Sequence, residues 1–359
     1  MKSQLQCYDD THKCRMAGGV HQTVVPRQDN SSQDKAPAQI VPLTVGEAEQ
    51  LLKQGIEQQK TSQFEAANQF FNKALNLYTE RQNQRGAGKA LGSLALTAYS
   101  LGNFQKAIEY ALRGLAIAQE IKDQSLEGQV LGILGNTYRH LGDYVLAIEQ
   151  SKKSLTLMRQ LQDRPGEVAA LNNLGLAHKA MGDVRRAMAY QQQSLKLAQT
   201  LSDRQTQEQI LRNLANACYA LGEYEKAIEY YKQRLAIAQE LADVRLEGQI
   251  LRNICNVCYA LGDYSQAIEY SQQRLLTAQK LGDRRLEEQA LGSLGFAYDA
   301  IGDYAQAIKY YEQRLSVARA IPDQRVEKQA LASLRVACYA LGDYAKVISY
   351  HEQSSAMHS

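Results

Sequence analysis

Residues 261–288 read LGDYSQAIEYSQQRLLTAQKLGDRRLEE, and the way this stretch opens returns every 40 residues along the chain. Leu-Gly or a near equivalent stands at Leu101-Gly102, Leu141-Gly142, Met181-Gly182, Leu221-Gly222, Leu261-Gly262, Ile301-Gly302 and Leu341-Gly342. An aromatic follows at Phe104, Tyr144, Tyr224, Tyr264, Tyr304 and Tyr344, with Val184 the exception. A small residue comes next at Ala107, Ala147, Ala187, Ala227, Ala267 and Ala307, with Val347 in the last unit. Phe64 and Ala67 hold the same phase one period earlier, although Ser62 replaces the glycine. A fixed period of this length specifies a solenoid, in which each unit buries its apolar face against its neighbours. The expected fold is all-α, a right-handed α-solenoid of about eight helix-turn-helix units starting near 46, 86, 126, 166, 206, 246, 286 and 326.

Each unit reads as two helices. In the fifth, Leu211, Leu214, Ala215 and Cys218 recur on one helical face. Gly222 suits the left-handed residue that ends such a helix. Aspartates at 143, 183, 263, 303 and 343, with Glu223 in their place here, should cap the second helix. A second set, Asp123, Asp163, Asp203, Asp243, Asp283 and Asp323, should cap the following first helix. Pro165 and Pro322 fall in these turns, where a missing N–H does least harm. Small residues in mid-helix (Ala95, Gly135, Gly175, Ala215, Cys255, Gly295) oppose the alanines of the second helix and allow close approach. Arg335 takes this position in the last unit, and Ser354 and Ser355 fall in the region of Leu315 one unit earlier, so that unit reads as a degenerate cap.

Residues 1–44 hold Pro26, Pro37 and Pro42 and show no helical periodicity, so an unstructured N-terminal tail is expected ahead of a solenoid over 45–359. A net charge of +3 and the lack of a basic run argue against nucleic acid as a partner. No apolar stretch is long enough to span a membrane. The N-terminus has no apolar segment of a secretory signal, and the cysteines form no paired framework, so a cytoplasmic location is expected.

The Leu-Gly-Asp-Tyr-x-x-Ala pattern resembles the tetratricopeptide repeat, with leucine every 40 residues from Leu91 to Leu331 where that family often has tryptophan. The period and the run 261–288 resemble the long subtype of the LGN/Pins polarity adaptors and, more distantly, kinesin light chains. The glutamine-rich texture is similar to cyanobacterial arrays that precede a CHAT protease-like domain. The resemblance covers about residues 46–356 and implies an interaction scaffold whose inner helices hold extended ligands through asparagines. The sequence carries neither a CHAT domain nor GoLoco motifs, so neither family's effector activity is implied.

Enzymatic motifs are missing: there is no HExxH, GxxxxGK[ST], GxSxG or zinc-finger spacing. Cys255 and Cys258 form a CxxC, with Cys218 and His178 in related phases. Helices two units apart stand about 20 Å from one another, too far for one ion to gather all four groups. Buried cysteines acting as small hydrophobes are the better reading. No catalytic residue, metal or cofactor is expected.

A polar stripe on the first helices has more to offer. Unit five presents Gln209, Arg212, Asn213 and Asn216, and unit six Gln249, Arg252, Asn253 and Asn256, each set spaced to form one face. Gln129 and Asn136 in unit three, Asn172 and Asn173 in unit four, and Gln289 in unit seven extend it. Asparagine is a poor mid-helix residue, so its repetition on three adjacent helices points to a binding role. A primary amide both donates and accepts, which suits gripping a peptide backbone. Tyr219 and Tyr259 would add apolar contact at the edge. The expected function is a non-enzymatic scaffold that binds an extended, acidic peptide segment of a protein partner, with self-association through the groove or the ends also open. The alternative is the recruitment or sensor module of a bacterial signalling or CHAT-type protease system.

Overall fold

The computed structural model describes residues 45–356 apart from Pro322. The expected tail over 1–44 lies outside the described residues, as does the turn placement of Pro322. The described residues form sixteen helices in eight pairs, with no strand among them. The pairs are α1 (Val45–Lys60) with α2 (Phe64–Glu80), α3 (Gln84–Ser100) with α4 (Phe104–Glu120), α5 (Gln124–His140) with α6 (Tyr144–Gln160), and α7 (Arg164–Ala180) with α8 (Val184–Thr200). They continue as α9 (Arg204–Ala220) with α10 (Tyr224–Glu240), α11 (Val244–Leu261) with α12 (Tyr264–Leu281), α13 (Arg284–Ala300) with α14 (Tyr304–Arg319), and α15 (Gln324–Leu341) with α16 (Tyr344–Ala356).

One three-residue turn serves nearly every junction. Gly102 stands at φ +74°, its N–H reaching Tyr99 O at 2.9 Å, while Asn103 N–H reaches Ala98 O at 2.8 Å. This pair of bonds satisfies the last carbonyls of the outgoing helix. Asn103 Oδ1 then accepts the Lys106 N–H of the incoming one, and aspartates repeat the arrangement down the chain. One short polar side chain therefore ends one helix and starts the next. Glu223, longer by one methylene, makes no cap bond and pairs with Lys226 instead.

The mid-helix small residues face the second-helix position four beyond the alanine as well as the alanine itself. A Cβ on Gly295 would collide with the Tyr311 ring, and one on Gly175 would lie 2.6 Å from Gln191. The glycines thus make room for a large partner, and that packing offsets the roughly 1 kcal/mol helix cost of each. Cys218, Cys255 and Cys258 are free thiols buried in one apolar cluster, and Cys338 is buried in another. In α16 no residue is buried; Tyr344 and Ile348 are each 60 % exposed, whereas Ile308 one unit earlier is 5 % exposed.

Successive first helices touch one another at α1–α3, α3–α5 and α5–α7, and successive second helices make no comparable contact. Over α1–α7 the first helices therefore line the inside of the curve. No described helix is long and apolar enough to cross a membrane.

Candidate functional site

The inner groove has a wall and a floor. Its wall is the exposed stripe of the first helices. Its floor lies between successive first helices, where one side chain of each second helix comes up from below. That floor residue is Gly114, Ser154 or Ser194 in α4, α6 and α8, and Arg234, Arg274 or Arg314 in α10, α12 and α14. Ser154 Oγ donates to Gly128 O and Ser194 Oγ to Val168 O, which shows where the position points.

This exchange divides the groove. With small floor residues, and with Gly92 and Gly132 on the wall, the N-terminal half opens into a cavity of about 520 Å³. Leu52, Ile56, Leu96, Tyr99 and Ile133 give it an apolar lining, while Lys89, Ser93 and Asn136 supply polar groups. In the other half, buried arginines fill the floor. Arg234 Nε donates to Glu208 Oε1 at 2.6 Å and Arg314 Nε to Glu288 Oε1 at 2.6 Å. Burial pulls the Arg234 guanidinium below the usual arginine range, and Glu208 opposes that shift.

All the wall residues singled out in the sequence are exposed or half-buried on first helices: Gln129 and Asn136 on α5, Asn172 and Asn173 on α7, five on α9, five on α11 and Gln289 on α13. They fall into two groups. Some are already engaged within the fold. Asn136 Oδ1 accepts from Arg139, Asn172 Oδ1 from Gln191 at 3.0 Å, and Asn173 Nδ2 donates to Gly132 O at 3.3 Å. Tyr231 Oη donates to Asn216 Oδ1 at 2.6 Å, Tyr259 Oη to Ser293 O at 2.8 Å, and Arg274 to Gln289 Oε1 at 2.8 Å. Burial pushes the Tyr231 and Tyr259 hydroxyls up to about 12, so both stay protonated donors. Tyr219 packs on Tyr224 at 5.5 Å and is 43 % exposed.

The second group has no side-chain hydrogen bond or ion pair among the described residues: Gln129, Gln209, Arg212, Asn213, Gln249, Arg252, Asn253 and Asn256. All but Gln129 are contiguous on α9 and α11. Reading the stripe alone missed the floor arginines and the apolar cavity. Their signal was the change from Gly or Ser to Arg at one position of the repeat, legible only by aligning second helices.

Comparison with family models matches tetratricopeptide-repeat models at residues 88–121, 126–200, 210–245 and 246–320, together more than half of the chain. The chain belongs to the tetratricopeptide-repeat family, an all-helical repeat solenoid that serves as a protein-interaction scaffold. Among solved structures it is similar to a STAND signal-transduction ATPase with a tetratricopeptide-repeat sensor from Pyrococcus horikoshii, at 16 % identity and TM-score 0.60, covering 87 % of this chain and 48 % of that one. The chain thus spans about half the length of that ATPase. It is also similar to the apo form of RapI, at 15 % identity and TM-score 0.63, covering 86 % of each chain. A third similar structure is a set of kinesin light chain repeats from Podosopora anserina, at 20 % identity and TM-score 0.44, covering 54 % of this chain and 96 % of that one. No curated protein matches the chain.

Proposed function

We propose that the protein is a non-enzymatic adaptor whose inner groove holds an extended, acidic segment of a partner protein. The observation that carries this reading is the contiguous, unengaged set Gln209, Arg212, Asn213, Gln249, Arg252, Asn253 and Asn256. Amides with no intramolecular partner can donate to a peptide carbonyl and accept from its N–H, independent of the side chains passing over them. Arg212 and Arg252, exposed and without a counter-ion, select carboxylates through forked hydrogen bonds. The apolar cavity of the N-terminal half takes the large aliphatic or aromatic side chains of the same segment.

Selection from a library of random peptides tests this. Acidic sequences with an apolar cluster at one end are expected, with affinities of about micromolar because a flexible segment loses entropy on ordering. Binding weakens with added salt, since both arginines are solvent-exposed before the ligand arrives. Asn213→Ala with Asn253→Ala reduces binding of every selected peptide, whereas Arg212→Glu with Arg252→Glu rejects the acidic ones. Undiminished binding by both double variants places recognition elsewhere on the solenoid.

A further inference from the structure

The wall positions that carry free amides and arginines on α9 and α11 change character in the N-terminal half. Where α9 and α11 have Arg212 and Arg252, α3 and α5 have Gly92 and Gly132. Asn213 and Asn253 give way to Ser93 and Ile133, and Asn216 to Leu96, which is 41 % exposed. Asn136 keeps an amide on α5, but its Oδ1 accepts from Arg139. Asn173 Nδ2 and Ser154 Oγ, which also line the cavity, donate to the carbonyls of Gly132 and Gly128. A peptide main chain laid here would leave N–H and C=O groups without partners, which is costly away from water. A hydrocarbon chain has no such groups.

The two glycines hold the cavity open. A Cβ on Gly92 would come no nearer than 3.6 Å to Val130, and one on Gly132 no nearer than 3.5 Å to Ser154, both ordinary contacts. Alanine therefore fits at both positions and would make the better helix. Gly175 and Gly295 differ, because a second-helix side chain takes their space. No described side chain fills the space above Gly92 and Gly132. That space belongs to the cavity of about 520 Å³, which reaches from Leu52 and Ile56 on α1 to Ala169 on α7. Four successive first helices contribute to it, a length of about 25 Å at the usual spacing of packed helices. It is a trough rather than a socket for one side chain. Lys89 is the one charged side chain among the described residues that line it. It is exposed and makes no ion pair or side-chain hydrogen bond among the described residues.

We infer that the trough binds an anionic amphiphile, with one unbranched aliphatic chain lying along α1 to α7 and one negatively charged head at Lys89. The charge pattern selects this ligand: an apolar trough with one cation and no anion complements an apolar tail with one negative charge. The inference goes beyond the peptide-groove reading, because the site uses neither the amides nor the arginines of α9 and α11. The two ligands meet only at the apolar end of the segment, which the amphiphile displaces.

Isothermal titration below the micelle concentration tests this, using octyl, decyl and dodecyl phosphates, the alkanoates and the primary alcohols of the same lengths. Affinity of a charged series rises about fourfold per added methylene, and the alcohol of equal length binds about two- to fivefold more weakly. Either charged series behaving so supports the site and names its head group. Gly92→Leu with Gly132→Leu fills the trough from within, so it removes the chain-length dependence and raises the melting temperature. Gly132→Leu alone serves if that variant does not fold. Lys89→Gln, at an exposed position, brings the charged compounds down to the alcohols and keeps the chain-length slope. Asn213→Ala with Asn253→Ala keeps amphiphile binding while losing the acidic peptides. Wild-type affinity independent of chain length overturns the site, as does unchanged binding in the leucine and Lys89 variants. Loss of the amphiphile in the asparagine variant also overturns it, since the chain would then lie on α9 and α11. Amphiphile binding without any acidic-peptide binding sinks the peptide reading alone.

Discussion

Both ring nitrogens of His178 are buried without a hydrogen-bond partner, and its ring stacks on Tyr190 at 5.3 Å. Burial holds its pKa below the ordinary histidine value; Asp183 opposes the shift, while Arg186 and Lys152 add to it. Between the lowered folded value and the unfolded value near 6.5, the unfolded chain binds a proton that the folded chain does not. Stability from this residue is therefore complete above about pH 6.5 and is lost as pH falls toward the folded pKa. The loss amounts to about 1.4 kcal/mol for each pH unit separating the two values. Tyr298 occupies the same position three units later and stacks on Tyr310 at 5.4 Å, so tyrosine fits the site. Thermal melts of His178→Tyr should show a shallower decline below pH 6.5 than wild type; parallel curves would exclude His178 as the source. The buried pairs give a second residue-scale expectation. Glu208→Ala strands Arg234 and should lower stability by about 3–5 kcal/mol in denaturant melts. A loss no larger than about 1 kcal/mol, typical of exposed pairs, would mean that water reaches the guanidinium.

At the scale of the element, the two kinds of turn differ in one residue. Turns within a unit place glycine in the left-handed region, except for Ser62 in the first, whereas those between units use Gln82, Lys122, Gln162, Ser202 and Ala242 at φ between +53° and +56°, with Gly282 the one glycine there among the described residues. A side chain there costs about 1–2 kcal/mol, partly offset by the greater entropy glycine loses on folding. Ala242→Gly should therefore stabilise by about 0.5–1 kcal/mol in a urea melt, and a loss would mean that Ala242 makes a compensating contact. Turns, caps and helix limits were legible in the sequence because they depend on residues within one turn of each other. The aspartates cap where their spacing said they would. What was not legible depends on residues 15 to 41 positions apart meeting across helices. Nothing in α7 alone reveals that Asn172 is held by Gln191, or that Asn173 bonds the carbonyl of Gly132. Those amides look the same in sequence as Asn213 and Asn253, which have no such partner. The floor arginines were hidden for the same reason, since Arg234 meets Glu208 and Arg314 meets Glu288 only across two helices.

At the scale of the whole solenoid, a strict period makes the unit the exchangeable part. Each unit packs on its neighbours alone, so stability is nearly a sum of unit and interface terms. Excising residues 246–285 joins Asp243, Val244 and Arg245 to Leu286, and leaves α10 followed by α13 through a turn of the usual length. Asp243 can still cap the incoming helix, and Arg234 keeps Glu208, which belongs to its own unit. The shortened chain should retain its helical content per residue by circular dichroism and melt only a few degrees lower. It should also lose part of its preference for acidic peptides, because Arg252 leaves while Arg212 and the apolar cavity of the N-terminal half are untouched. Excising residues 264–283 instead removes a second helix and sets two first helices in succession. The small-residue face of α11, built to receive α12, would then lack a partner, and aggregation is expected. If the whole-unit excision unfolds as readily as the half-unit one, the units are not interchangeable. The difference between the apolar and arginine-floored halves would then be a requirement of the fold rather than of the ligand.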